Sequence, residues 1–491
     1  MNKDRNGNKD NMHQHHQHAH PDTDHGGRHD PLKTEHHKEH VEFLEDRLGI
    51  NIHKSDEAEK RYEAGDGPYF RPVDTLFKSD KDEKRIEESL DRSYELTKEK
   101  LGKRVSGITR RDFLKVVGTA SVVGAGMALA GTACLQYTPW YGALDTYKQI
   151  NYTGPSTSAT SKVAVVKGTS IESMVRAAVQ SAGGLGLIKQ GELVLIKPNC
   201  VWFSDAQSIP GGDTNAPVTT NPEVLRAVIR MVKEKTAASN IYVADHSAIF
   251  LSTMFVMQQQ GIYDVCIEEG VNPLPMEDLD HINFTSDKFE YLEEPFVIAK
   301  AVLQMDHMIN LPVLKNHNMP LIRDMAQYTC CIKAFVGIMA PSNRLFTERL
   351  FHLYDLPNKV AELDLCRPWR MENGTNPGIT MNVVDATRIM VSGGPHNSLF
   401  LEEMMAEQPD MIIASSDRVA CDSVAVALLK RYGGLRGVNK DYMQIPVWGQ
   451  RQIVHAGHLG LGINDPNRIA IDFQGLSAEE QASLYSIWSA T

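Results

Sequence analysis

The sequence predicts an α/β protein: a mainly parallel sheet flanked by helices, with its ligand site at the carboxyl edge of the strands. Three observations predict it. From residue 163 onward short β-branched runs recur, stretches with helical spacing separate them, and polar residues follow the runs where a parallel sheet opens to its ligand.

The strand runs are 163–166, 193–197, 241–244, 307–311, 379–384, 411–414 and 469–473. Each is a short block rich in Val, Ile, Leu or Met, as strands covered on both faces require. Helical patterns occupy 171–182, 222–235, 419–431 and 478–487. No internal repeat is present. Gly183-Gly184-Leu185-Gly186 precedes the strand at 193 instead of following one. It therefore reads as a helix end and turn, not a phosphate loop.

Size and composition bound the rest. Of 491 residues, the α/β pattern takes 162–491, enough for one large or two intimate domains. Hydrophobic content of 42% and charged content of 23% are those of a globular protein. A formal charge of -11 with no continuous basic face argues against a nucleic-acid partner. The seven cysteines include no C-x-x-C pair, so no local iron-sulfur motif is present. Adjacent Cys330 and Cys331 do not pair easily with each other, and their place on an apolar helix face reads as burial.

The region before 162 divides four ways. Residues 1–40 form a polar tail with ten of the nineteen histidines, either a loose binder of Zn, Ni or Cu or a solvated tail. Residues 41–104 alternate acidic and basic side chains and read as solvated helices around a turn at Gly65-Asp66-Gly67-Pro68. Residues 105–135 hold Thr109-Arg110-Arg111-Asp112-Phe113-Leu114-Lys115 and then an uncharged run from Val116 to Leu135, with a small-residue exit at Ala128-Leu129-Ala130 or Gly131-Thr132-Ala133. That segment resembles a twin-arginine export signal. The resemblance implies the twin-arginine machinery as a partner and a periplasmic location, or the outer face of the cytoplasmic membrane, with 113–135 as an alternative anchor. Cys134 lacks the large aliphatic residue three places earlier that lipidation would want. Residues 136–161 read as a linker.

The candidate chemistry lies just after the strands. Lys197-Pro198-Asn199 follows the second run, Asp245-His246-Ser247 the third, Pro312 to His317 the fourth, and Asp385 the fifth. Two site chemistries are compatible with these residues. In one, His246, His317, His352 and Asp385, with Asp245, hold a divalent metal that polarises a carbonyl or activates water. In the other, Lys197, Asn199, Lys333 and Arg344 bind a small anionic ligand, while His317, Lys315 and Asp245 act as catalytic groups that move a proton. Competing structural roles are plain for several of them. Asp417 before Arg418-Val419-Ala420 reads as a helix N-cap, Asp245 can cap a turn, and His352 can be a packed histidine. Lys315 to His317 carries the strongest signal, because Pro312 and the polar triplet interrupt an apolar run without a turn-forming glycine.

Four of these segments resemble, in order and wording, the family called domain of unknown function 362. They are Lys197 to Asn199, Pro312 to His317, Cys331-Ile332-Lys333-Ala334-Phe335-Val336-Gly337, and Ser415 to Asp422. The resemblance covers roughly 163–430 and implies a fold and a site location, without an established reaction. Many relatives carry ferredoxin-like cysteine clusters, which this chain lacks, and Asn where this chain has Ala334. The expected function is an enzyme acting on a small anionic substrate, metal-assisted or redox-linked. The competing expectation is a non-catalytic binding or assembly subunit of a membrane-associated electron-transfer complex.

Overall fold

The computed structural model describes residues 144–201, 217–247, 253–292, 295–317, 328–340, 351, 355–369, 378–392, 405–434 and 441–490. The histidine-rich tail, 41–104, the segment 105–135 that resembles an export signal, and the first part of 136–161 lie outside these residues.

In chain order the elements begin with β1 (Thr146–Gln149), β2 (Ser161–Lys167), α1 (Ile171–Ser181), β3 (Val194–Pro198), α2 (Pro222–Lys233), β4 (Ile241–Asp245), α3 (Thr253–Gln259) and α4 (Ile262–Glu269). There follow β5 (Asn272–Pro275), β6 (His281–Ser286), β7 (Phe296–Ala299), α5 (Ala301–Gln304), β8 (His307–Leu311), β9 (Val313–Asn316), β10 (Tyr328–Thr329) and α6 (Cys331–Ala334). The last group is α7 (Leu356–Leu363), β11 (Met381–Ser392), β12 (Met405–Glu407), β13 (Met411–Ser415), α8 (Arg418–Arg431), α9 (Asp441–Gln444), α10 (Arg451–His458), β14 (Ile469–Gln474) and α11 (Ala478–Ser489). Each strand and helix expected from the sequence is present, with ends shifted by at most two residues except at the end of β11. The turn at Gly183 and Gly184 closes α1 as expected, with positive φ at both glycines and Gly184 N donating to Val179 O.

The main sheet runs β14-β2-β13-β11-β8-β3-β4-β5, with β9, β10 and β12 beside this path. It is mixed, which corrects the expectation of a mainly parallel sheet. β13 lies antiparallel between β2 and β11, and β12 and β10 are antiparallel to β11 and β9. Both β12 and β13 run back along β11, the direction a hairpin-type return gives, whereas parallel pairing needs a crossover. The half that matters for the site, β11-β8-β3-β4-β5, is parallel throughout. A second sheet of β1, β6 and β7 is also mixed; β1 comes from the segment expected to be a linker.

The two-residue period of each strand divides the core. Ala164, Ile196, Val243 and Ile309 face α1, α2, α3 and α4, while Val163, Leu195, Ala244 and Met308 face α8, α10, α11 and the second sheet. A sheet covered on both faces places its polar groups at the strand ends, and there Lys197, Asp245 and Lys315 sit. β11 continues to Ser392 instead of ending near Val384 because β9 offers a new parallel partner beyond Pro312, with Asp385 opposite Val313. No helix among the described residues is long and apolar enough to cross a membrane.

Candidate functional site

Strands β3, β4 and β9 deliver their polar ends to one place. Lys197 Nζ lies 2.6 Å from Asp245 Oδ1, with both side chains only 1% exposed. Asp245 Oδ2 accepts the backbone N–H of Cys200 at 2.6 Å, so the turn after β3 is tied to the end of β4. Ser247 Oγ closes the same turn by donating to Cys200 O at 2.6 Å. A charge pair this deep persists only with close pairing and further hydrogen bonds.

Lys315 projects from β9 and is fully buried. Its Nζ donates to Val218 O at 2.7 Å and Asn199 Oδ1 at 3.2 Å. Asn199 is itself fixed, since its N–H donates to Thr220 Oγ1 at 2.8 Å, and that hydroxyl donates to Leu311 O at 2.7 Å. Burial first, and the Lys333 ammonium second, push the Lys315 amine well below the ordinary lysine range; Asp245 opposes this and Lys197 adds to it. Lys197, Asp245, Lys315 and Lys333 are therefore one electrostatic unit.

Lys333 belongs to a strap that crosses this unit: β10, α6 and the tight turn Phe335–Ile338. Its start is held by Asp422 at the first turns of α8, whose oxygens accept Cys331 N at 2.7 Å and Ile332 N at 3.4 Å. Asn310 Nδ2 on β8 donates to Cys331 O at 3.0 Å. Farther along, the Arg418 guanidinium lies 4.8 Å from the Phe335 ring centre and 2.9 Å from the Asp364 carboxylate. His246 N donates to Gly337 O at 2.8 Å. A Cβ on Gly337 would fall 2.1 Å from Asp245 Oδ1 and 2.7 Å from Lys197 Nζ. Glycine is required there because the backbone rests directly on the ion pair.

Of the residues expected to bind an anion, Lys197, Asn199 and Lys333 meet here; Arg344 lies outside the described residues. Of the expected catalytic groups, Lys315 and Asp245 meet here, and His317 is buried just after β9. The expected metal set is not assembled among the described residues. His246 is buried and stacks on His281 at 5.6 Å, and His352 lies outside the described residues. Asp385 sits within β11, not at its end. Its Oδ2 accepts Asn221 N at 2.8 Å, and its Oδ1 accepts Thr387 Oγ1 at 2.6 Å. That carboxylate fixes the entry to α2.

The described residues whose metal-ligating atoms do converge, within 4.8 Å, are Cys330, Cys331 and Asp422. Burial pushes both thiols well above their ordinary range, and the Asp422 oxygens already accept backbone N–H groups. The cluster acts as the strap's anchor. Asp417 is the N-cap of α8, accepting Val419 N and Ala420 N at 2.9 and 3.0 Å, as its sequence context predicted.

A family model described as "Domain of unknown function (DUF362)" matches residues 194–427. The DUF362 match runs from β3 into α8, and so contains Lys197, Asp245, Lys315, Lys333, Gly337 and Asp422. No curated protein matches the chain. Among solved structures, the lactate racemase apoprotein from Thermoanaerobacterium thermosaccharolyticum is similar at 12% identity and a TM-score of 0.28. The similarity covers 50% of this chain and 54% of the racemase chain, about half of each. At that level it carries no argument about chemistry.

The sequence pointed to the lysines but not to what holds them. Gly337, Asp422 and Arg418 all lie inside motif segments. Only the fold reveals that Gly337 makes room for the ion pair, that Asp422 anchors the strap, and that Arg418 packs on its phenylalanine.

Proposed function

We propose that this chain is an enzyme acting on a small anionic substrate at the carboxyl ends of β3, β4 and β9. The observation that carries it is the gathering of Lys197, Lys333 and Asp245 within electrostatic reach of Lys315, all of them buried. Bringing three basic side chains together out of water costs free energy that neither strand pairing nor core packing requires. A bound carboxylate or phosphate offsets that cost, and a cluster of buried ionisable groups at strand ends is a setting in which functional sites are found. Asp245 and Lys315 supply the groups that hold or move a proton. Metal assistance has less support, because Asp385 is committed to Asn221 and Thr387.

Export by the twin-arginine machinery to the periplasm, or to the outer face of the cytoplasmic membrane with 113–135 as anchor, is part of this proposal and rests on the sequence of 109–135 alone. The test is thermal denaturation of the full chain with phosphate, oxalate or pyruvate added singly. At least one anion raises the melting temperature in a saturable way, and Lys333→Ala abolishes the rise. If none does, and the chain instead co-purifies with membrane electron-transfer subunits, the scaffold role replaces the enzyme.

A further inference from the structure

The ε-amine of Lys315 has two hydrogen-bond acceptors among the described residues, Val218 O at 2.7 Å and Asn199 Oδ1 at 3.2 Å. An ammonium carries three N–H bonds, whereas an uncharged amine carries two and a lone pair. Two acceptors around a fully buried nitrogen use both N–H bonds of the uncharged form. The surroundings favour the same form. Asp245 is the carboxylate that acts on Lys315, yet its Oδ1 is engaged by Lys197 at 2.6 Å and its Oδ2 by Cys200 N at 2.6 Å. The positive charges of Lys333 and Lys197 both disfavour a third proton on the amine. A lysine desolvated and set beside other cations is the arrangement in which its amine becomes a nucleophile toward carbonyl carbon.

We infer that Lys315 is the nucleophile of the site and that the substrate is a small oxo acid, whose carboxylate is drawn by Lys333 and Lys197 while its carbonyl carbon meets Lys315 Nζ. This rests on the anionic-substrate reading above and narrows it to compounds that carry both groups. The step balances without a further reactant. The Nζ lone pair forms the C–N bond, the carbonyl π pair moves to oxygen, and one proton passes from nitrogen to that oxygen to give a carbinolamine. With one proton from solvent the hydroxyl leaves as water, and the nitrogen pair forms the C=N bond of a protonated imine. Nothing is oxidised or reduced.

Two measurements on the full chain test it. In the first, cyanate, a very small anionic reagent that carbamoylates uncharged amines, is added near neutral pH and the lysines are compared by peptide mass spectrometry. Lys315 is expected to label about tenfold or more faster than exposed Lys148 and Lys189, since the uncharged fraction rises about tenfold for each pH unit by which an amine's midpoint falls. Because all lysines are compared within one folded protein, the result does not depend on a variant's stability. Labelling of Lys315 no faster than the exposed lysines overturns the nucleophile.

In the second, pyruvate, glyoxylate or 2-oxoglutarate is added with borohydride. A reduced adduct on the Lys315 peptide, absent from Lys315→Arg, supports the oxo acid. Rapid carbamoylation with no adduct from any of the three overturns that substrate class. A saturable anion-induced melting shift with neither label overturns this inference but leaves the anion-binding proposal standing, whereas loss of the shift itself removes both.

Discussion

Gly337 shows how much a site can depend on an absent side chain. Its backbone covers Lys197 and Asp245 so closely that the first carbon of any side chain would enter the space of Asp245 Oδ1, at 2.1 Å. Gly337→Ala must therefore lift the strap or separate the pair. The expected destabilisation is about 1–3 kcal/mol for overpacking, rising toward about 3–5 kcal/mol if the ion pair opens. Denaturant unfolding of the variant measures it, and an unchanged midpoint would mean that the strap does not rest on the pair. Lys197 and Asp245 were legible in the sequence as polar residues after strands. Their partnership was not, because 47 intervening residues separate positions that become neighbours only when β3 and β4 pair.

The strap is the element that turns a row of strand ends into an enclosed site. It is short, since α6 spans only Cys331–Ala334, and a helix of that length has no stability of its own. Its order comes from outside: Asp422 on α8 takes the first N–H groups, Asn310 on β8 takes a carbonyl, and Arg418 packs on Phe335. Asp422→Ala leaves Cys331 N and Ile332 N without their acceptor at a buried position, a loss of about 1–3 kcal/mol. Hydrogen exchange is expected to quicken over residues 331–337 while β2 and β13 keep their protection. Equal acceleration across the sheet would show that Asp422 holds the whole domain and not the strap. The sequence marked Asp422 as the last residue of a motif, yet its acceptor role depends on α8 and α6 meeting.

Burial of Asp417 adds to the pH dependence of the molecule's stability a contribution whose sign is defined. Burial pushes the Asp417 carboxyl up to about 6 from an ordinary value of 3.8, against the hydrogen bonds of its N-cap role. Between these values the folded chain binds more protons than the unfolded one, so this group's contribution to stability falls as pH rises from about 4 to about 6 and is level above that. Asp417→Asn is expected to remove this contribution, which amounts to about 3 kcal/mol. Melting temperatures of wild type and variant at pH 4 and pH 7 check it: the gap should move in the variant's favour at pH 7. An identical gap at both pH values would mean that Asp417 titrates alike folded and unfolded.

The sequence by itself determined seven strands of the main sheet, the long helices and the carboxyl-edge position of Lys197 and Lys315, because these follow from local pattern: apolar runs, helical spacing, and the polar residue that ends a run. Even the role of Asp417 was local, a carboxylate two or three residues from the N–H groups it caps. Tertiary structure decided the rest. The antiparallel course of β13, the strand β9 that lengthened β11 past Asp385, and the engagement of the Asp385 carboxylate by Asn221 all depend on which segments lie side by side. So does the low proton affinity of Lys315, since desolvation and the charge of Lys333 act through space and leave no mark on the order of residues.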